Sequence, residues 1–340
     1  MVIDNPRSYF GALYPLVKKD SITDIDCSGG QVFLTDSAGR RWLSEIRLSD
    51  DFVEQFTKRI ANTVSQPFHK QSPILEAHTD TLRITVVHES LAVSGRAICI
   101  RKSLPYIRMN EAQMLESGYL TERILNLLKN CVRSHLNMVF CGLPGVGKTE
   151  LAKFFSQYIP DNERVITIED VQEWHYSSLG RERDCVELLI GDNMDYTRAI
   201  KTCLRLNPKW MMLSEARSEE VRYLIEGFST GVSGMTTLHT DDVRKLPDRM
   251  VNMAGDGYNE KRMENDIYRF IDVAVMIQRR PAADGRSGYS RYISQVCFFT
   301  REDGANHIYM MVEDGELIAD EVPNEIFKKM CRNRITDPFE

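Results

Sequence analysis

The chain has 340 residues, with 43 Lys and Arg against 49 Asp and Glu, for a formal charge of −6; apolar residues make up 42% and charged ones 27%. This composition excludes intrinsic disorder, and at roughly 150 residues per domain the length fits two domains. The slightly acidic balance argues against a dedicated nucleic-acid binder, which needs a basic footprint to displace counterions from phosphates.

No apolar run approaches the roughly 20 residues that span a bilayer. The opening MVIDNPRSYFGALYPLVKK mixes Asp, Arg and Pro into its apolar residues, unlike a signal or transit peptide. The chain is therefore expected in the cytosol. Eight cysteines form no C-x-x-C pair and mostly sit in apolar stretches such as VFCG and QVCFF. They are expected to be buried, reduced thiols.

In chain order, a helix is predicted over 5–18. Strand-like QVFLTD and RRWLSEI flank the turn-prone DSAG. A helix over 49–65 has Ser49 as its N-cap and apolar residues at Phe52, Val53, Phe56, Ile60 and Val64. LRITVVHE and RAICIRK read as strands. An irregular stretch over 103–118 contains a Pro and a Gly and reads as a linker. The predicted division is 1–105, a linker at 106–118, and 119–340.

From Tyr119 strands and helices alternate. Helix LTERILNLLKNCVRS leads to strand NMVFCG, a Gly-rich turn and helix TELAKFFSQYI. Strand RVITIED, helix DYTRAIKTCLRL, strand KWMMLSE, helix SEEVRYLIEGFS and strand MTTLHT follow, then a helical region over 243–270 and strand VAVMIQR. Such alternation predicts a parallel sheet covered on both faces. After residue 287 the pattern turns antiparallel, with SRYISQVCFFT and HIYMMVEDGELI, and helix NEIFKKMCRN closes the chain.

Residues Gly142-Leu143-Pro144-Gly145-Val146-Gly147-Lys148-Thr149 fit G-x-x-x-x-G-K-[ST] without a mismatch, between an apolar strand and a helix. Glycines let successive N–H groups turn toward one anion, and the helix N-terminus adds a positive dipole end. Lys148 then reaches the β- and γ-phosphates of a nucleoside triphosphate, and the Thr149 hydroxyl ligates Mg²⁺. The binding segment is taken as Gly142, Pro144, Gly145, Val146, Gly147, Lys148, Thr149 and Glu150.

Three later segments end strands in polar groups: Glu169-Asp170 after ITI, Ser214-Glu215 after WMML, and His239-Thr240 after TTL. In a parallel sheet such ends converge on the ligand crevice. An acid there polarises water or holds Mg²⁺ through water, and a His or Thr senses the γ-phosphate.

The ordered series GLPGVGKT, ITIED, LRLNPKWMMLSEAR and GFSTGVSGMTTLHT resembles the ring-forming ATPases of type II and type IV secretion, pili and conjugation. SGRAICIRK is similar to that family's sequence before its linker. The resemblance runs from about residue 80 to 280. It implies an N-terminal α/β domain followed by a RecA-like P-loop ATPase domain with a parallel-rich sheet and an antiparallel C-terminal extension. Glu169 matches the first acid of the family's aspartate box, a catalytic position, and Glu215 its Walker B glutamate; with His239, Arg96 and Arg101 they make the catalytic set that the resemblance implies. Arg217 matches the arginine two positions beyond that glutamate. His239 matches the last histidine of the histidine box. Arg96 and Arg101 match N-terminal-domain arginines that reach a nucleotide, and Arg205 matches a family arginine. Three positions depart: Val232 stands where the box opens with histidine, Ser214 replaces a glycine, and Glu150 replaces a second threonine. The loss at Val232 bears on γ-phosphate sensing.

The resemblance further implies a hexameric ring that hydrolyses ATP with Mg²⁺, cytoplasmic and peripheral to the inner face of the membrane, partnered by integral inner-membrane components and not binding nucleic acid directly. The length and the missing four-cysteine zinc module favour the conjugation and type IV secretion branch, with a tight-adherence pilus member as the other possibility. A helicase or packaging motor, a catalytically weak nucleotide-gated scaffold and a generic AAA+ protein are the competing readings.

Overall fold

A computed structural model describes residues 3, 5–180, 183–191, 193–255, 259–281 and 288–340. The chain forms two compact units: Met1–Leu104 with Pro281–Tyr289, and Pro105–Arg280 with Ser290–Glu340.

In the first unit, α1 (Pro6–Phe10) and α2 (Tyr14–Lys18) replace the single helix predicted over 5–18. Gly11 breaks it, with φ at +48°, a left-handed value that interrupts a right-handed helix. Strands β1 (Ile22–Ser28), β2 (Gln31–Asp36) and β3 (Arg41–Arg47) precede α3 (Asp50–Thr63). The Ser49 side chain caps α3 by accepting from Phe52 N. Strands β4 (Ile74–His78), β5 (Leu82–Val87) and β6 (Ala97–Lys102) complete a sheet in the order β3-β2-β1-β6-β5-β4, antiparallel throughout. Its core includes Phe10, Phe56, Ile60, Ile84 and Ile100. Sequence pattern missed β1 and β4. In β1, acids alternate with apolar residues and a bulge between Ile22 and Asp24 shifts the period. β4 has only five residues.

In the second unit, the stretch expected to be irregular holds a short helix, α4 (Glu111–Glu116), capped by the Asn110 side chain. Then come α5 (Glu122–Arg133), β7 (Met138–Cys141), α6 (Lys148–Ser156), β8 (Val165–Glu169), β9 (Cys185–Leu189), α7 (Tyr196–Cys203), β10 (Trp210–Leu213), α8 (Glu220–Ser229) and β11 (Ser233–Leu238). The helical region over 243–270 divides into a 3₁₀ turn at Val243–Lys245, α9 (Leu246–Met253) and α10 (Glu260–Phe270). Its middle, residues 256–258, lies outside the described residues. Strands β12 (Val273–Pro281), β13 (Tyr289–Glu302), β14 (Ala305–Glu313) and β15 (Glu316–Leu317) and helix α11 (Asn324–Arg332) end the chain.

The nine-stranded sheet runs β15-β14-β13-β12-β7-β11-β10-β8-β9. Its strands from β12 to β9 pair in parallel, and β13, β14 and β15 pair antiparallel. Every residue of β7, β8, β10 and β11 is buried, as expected for strands covered on both faces. Two apolar cores follow, one including Leu128, Phe140, Phe155 and Met212, the other Ile168, Leu213, Leu224 and Met276. Edge strand β9 is half-exposed and carries Glu187, which hid it from a pattern search. Of the eight cysteines, Cys27, Cys131, Cys141, Cys203 and Cys297 are buried, Cys99 and Cys185 partly so, and Cys331 is exposed; all are free thiols.

One polar clasp holds the strand starts. Buried Asp272 accepts from Asn137 N at 2.8 Å and from Lys329 Nζ at 2.5 Å. Asn137 in turn donates Nδ2 to Phe270 O and accepts from Gly234 N. Replacing Asp272 with Ala leaves a buried N–H and an ammonium without their acceptor. We expect a loss of about 2–3 kcal/mol in urea unfolding. An unchanged midpoint would remove the clasp from the account of stability.

Candidate active site

The loop between β7 and α6 begins at Gly142, with φ at +147°. A Cβ there would come within 2.6 Å of Ile277 O and 2.7 Å of Val146 Cγ2, so only glycine fits this turn. Gly147 caps α6 in the left-handed conformation, with φ at +97°. Val146 is buried and packs on Gly142, while Leu143, Pro144 and Gly145 are exposed. The loop leads directly into the N-terminus of a nine-residue helix, the positive end of its dipole. Thr149 is the second residue of that helix and half-buried. Glu150 follows, with Oε2 buried and without a hydrogen-bond partner among the described residues.

Lys148 is only 7% exposed. Its Nζ donates to Leu143 O at 3.4 Å and lies 3.0 Å from His239 Nδ1. Among the described residues no carboxylate lies within ion-pair distance of it. Burial pushes the ammonium down to about 8, against the opposing pull of Glu215. A lysine kept this way suits an arriving anion, whose charge would restore its ordinary basicity.

His239 follows β11, and the pairing Leu238↔Cys141 sets it opposite Gly142. Its Nδ1 lies 3.1 Å from Gly142 O and its Nε2 lies 2.7 Å from Glu215 Oε1. The other oxygen, Glu215 Oε2, accepts from Arg217 Nη2 at 2.8 Å and Nε at 2.9 Å. Arg217 Nη1 donates to Asp170 Oδ2 at 2.9 Å. A continuous chain therefore runs from Lys148 through His239, Glu215 and Arg217 to Asp170, joining the ends of β7, β11, β10 and β8.

Glu169 differs from its neighbour Asp170. It is 1% exposed, and its Oε1 accepts from Glu173 N and Trp174 N, each at 3.0 Å. Oε2 is buried and has no hydrogen-bond partner among the described residues. Burial pushes this carboxyl up to about 8, so it is mostly neutral at pH 7. Side by side in sequence, Glu169 sits inward and protonated and Asp170 sits outward and ion-paired.

The remaining predicted residues are described within their own units, Arg96 and Arg101 in the first. Arg96 is bound within its own unit by Glu89, through Nε at 2.7 Å and Nη2 at 2.9 Å, and donates Nη1 to Thr57 Oγ1. Arg101 pairs with Asp24 at 2.8 Å. Arg205 is exposed beyond the end of α7. Val232 precedes β11 at the end opposite His239. Seven residue steps at about 3.3 Å each set the two roughly 20 Å apart along the strand. Within this unit, the missing first histidine therefore takes no group away from Lys148, and the expected link between Val232 and γ-phosphate sensing does not hold inside the unit.

Sequence reasoning missed Arg279, whose Nη2 donates to Gly145 O at 2.5 Å and holds the loop from β12. It sits in a plain Arg-Arg pair at a strand end, and only the sheet order β12-β7 brings it to the loop. It also missed the role of Arg217, whose partners come from separate strands.

Depression of Lys148 predicts a pH-dependent proton uptake. The folded group titrates near 8 against an ordinary 10.5, so above about pH 8 the free protein holds it largely neutral. Binding of a phosphate-bearing ligand such as ATP should then draw in up to roughly three-quarters of a proton at about pH 8.5 and far less at about pH 6.5 through this group. Calorimetry in buffers of different ionisation enthalpy measures this. Buffer-independent heats at both pH values would show that Lys148 does not meet the anion.

Residues 73–326 match the family described as type II/IV secretion system protein. The chain is 29% identical over 274 residues to an uncharacterized protein of Bacillus anthracis, covering 79% of this chain and 62% of that relative's length. It is 25% identical over 294 residues to the type IV secretion system protein VirB11 of Bartonella quintana, covering 73% and 82%. Among solved structures, the ATPase DotB of Legionella pneumophila aligns with a TM-score of 0.60 at 18% identity, over 89% of this chain and 83% of that one, a likeness of fold. The matched region takes in α6, the ends of β8, β10 and β11, and strands β4 to β6 of the first unit, and the chain belongs to the type II/IV secretion system protein family.

Proposed function

We propose that this chain is a Mg²⁺-dependent ATPase, that its subunits assemble as a hexameric ring, and that hydrolysis drives macromolecular transport: secretion, conjugative transfer or pilus assembly. Its place of work is the cytosolic face of the membrane, held there by integral partners. Among the described residues no helix is long and apolar enough to cross a membrane, so attachment through partners fits the chain. Transport is supported by the printed names of relatives, including the type IV secretion protein of Bartonella quintana.

The observation that carries hydrolysis is the Lys148–His239–Glu215 chain at the start of α6. Lys148 binds the phosphates. Glu215 is the acid whose carboxylate orients the attacking water and draws its proton. His239 touches both Lys148 and Glu215, so it can report phosphate at one to the other. The Thr149 hydroxyl, on the second residue of α6, is an oxygen donor of the kind that suits a hard cation. Bound Mg²⁺ would neutralise phosphate charge. Glu169, neutral and backbone-held, positions the turn at Glu173 and Trp174 beside the loop helix.

Arg96 and Arg101 belong to the proposal as arginines that neutralise phosphate charge, from the same or a neighbouring subunit. Their present partners rank them. The Arg101 side chain is 58% exposed, so water reaches its guanidinium beside Asp24. Arg96 is 13% exposed and doubly bonded to Glu89, a harder pair to exchange.

Lys148→Ala should abolish ATP binding in equilibrium dialysis, and retained tight binding would sink the loop assignment. Glu215→Gln should bind ATP and lose turnover by at least about 100-fold; turnover at the wild-type rate would show the acid is misassigned. Light scattering with a non-hydrolysable ATP analogue should give a mass near six subunits. A monomer at every concentration would remove the ring.

A further inference from the structure

Two carboxylates, Glu215 and Asp170, end adjacent strands of one sheet, where like charges repel. The group between them is the Arg217 guanidinium. Two of its nitrogens, Nε and Nη2, fork onto Glu215 Oε2, and the third, Nη1, reaches Asp170 Oδ2. The backbone of Arg217 is also fixed: its N–H donates to Glu220 Oε1 at 2.6 Å, and Ser218 N donates to the same oxygen at 2.9 Å. Glu220 is 6% exposed and opens α8, so the arginine springs from a held turn.

We infer that Arg217 is a positioning residue for hydrolysis, bridging Asp170 and Glu215 so that the Glu215 carboxylate keeps its Oε1 toward His239 and the phosphate loop. This rests on the role of Glu215 proposed above. With Arg217 on Oε2 and His239 on Oε1, both oxygens of Glu215 are engaged and its plane is defined. Take away the arginine and Oε2 loses its donors, while Asp170 loses its counter-charge. Lys148 is a cation on the same chain of contacts, and its ammonium already feels Glu215. The carboxylate would turn toward it and leave the position from which it orients water. Burial opposes the charge on Arg217, but the Glu215 bond and the Asp170 charge outweigh it, so the guanidinium stays charged. A lysine cannot replace it, because one ammonium lacks the planar fork that spans two acids.

The test uses the full chain under assembly conditions, measuring kcat, KM and affinity for a non-hydrolysable ATP analogue. Arg217→Ala should lower kcat by on the order of 10–100-fold, the cost of misplacing one group by about an ångström, with analogue affinity within about threefold. Arg217→Lys should recover only part of the loss. Adding Asp170→Asn to Arg217→Ala should cost little more, because the bridge is already gone. An unchanged kcat in Arg217→Ala overturns the inference. So does a kcat loss matched by an equal loss of affinity, which would make Arg217 a nucleotide contact. Full activity in Arg217→Lys likewise overturns the bridge, and this variant with Arg217→Gln carries the test if Arg217→Ala fails to fold. A wild type that binds ATP without turnover removes the ATPase reading and this one together. Wild-type turnover matched by Arg217→Ala removes this one alone.

Discussion

The parallel register of β8, β10, β11 and β7 is the constraint on which the rest depends. Leu213 pairs with Ile168 on one side and Thr236 on the other, and Leu238 pairs with Cys141. Because the strands point the same way, the residues just past each pairing emerge on one edge. Glu169 and Asp170, Ser214 and Glu215, His239, and Gly142 are those residues. A parallel sheet holds such a register only when both faces are covered, and both are: α5 and α6 pack on one core, α7 to α10 on the other. Ser214 N donating to Ile168 O, and Thr237 Oγ1 donating to Ser214 O, carry the alignment one step beyond the strands.

Burial then acts on that edge in two opposite ways. The same loss of water pushes Lys148 down and Glu169 up, each toward its neutral form. For Lys148 this leaves a cation needing an anion, at the N-terminus of α6. For Glu169 it gives a neutral acid that braces the turn at Glu173 and Trp174. The oxygens of Glu215 instead meet His239 and Arg217.

Much of this was legible in the residues. The run Gly142–Thr149 names its own geometry, since glycine at 142 and 147 answers two backbone demands and lysine answers a third. The buried strands around it are short and mostly apolar, so length and composition found them. The Ser49 cap of α3 was equally plain. Less legible were β1, whose acids and bulge blur the alternation, and β9, an edge strand carrying Glu187. The break at Gly11 was hidden too, because apolar residues continue on both sides of it and only the backbone angle separates the two helices.

What the sequence determined by itself was therefore local: a phosphate-type loop between strand and helix, three strands ending in polar groups, and the alternation that makes a covered parallel sheet. These follow from steric limits and periodicity within a few residues. Tertiary structure alone decided which of two adjacent acids is buried, with its carboxyl pushed toward neutral, and which meets Arg217. It alone placed Val232 at the far end of β11, Arg279 on the loop carbonyl and Arg217 between two carboxylates. Those facts depend on strand order and register, which couple residues dozens of positions apart, and on the water that folding removes between them.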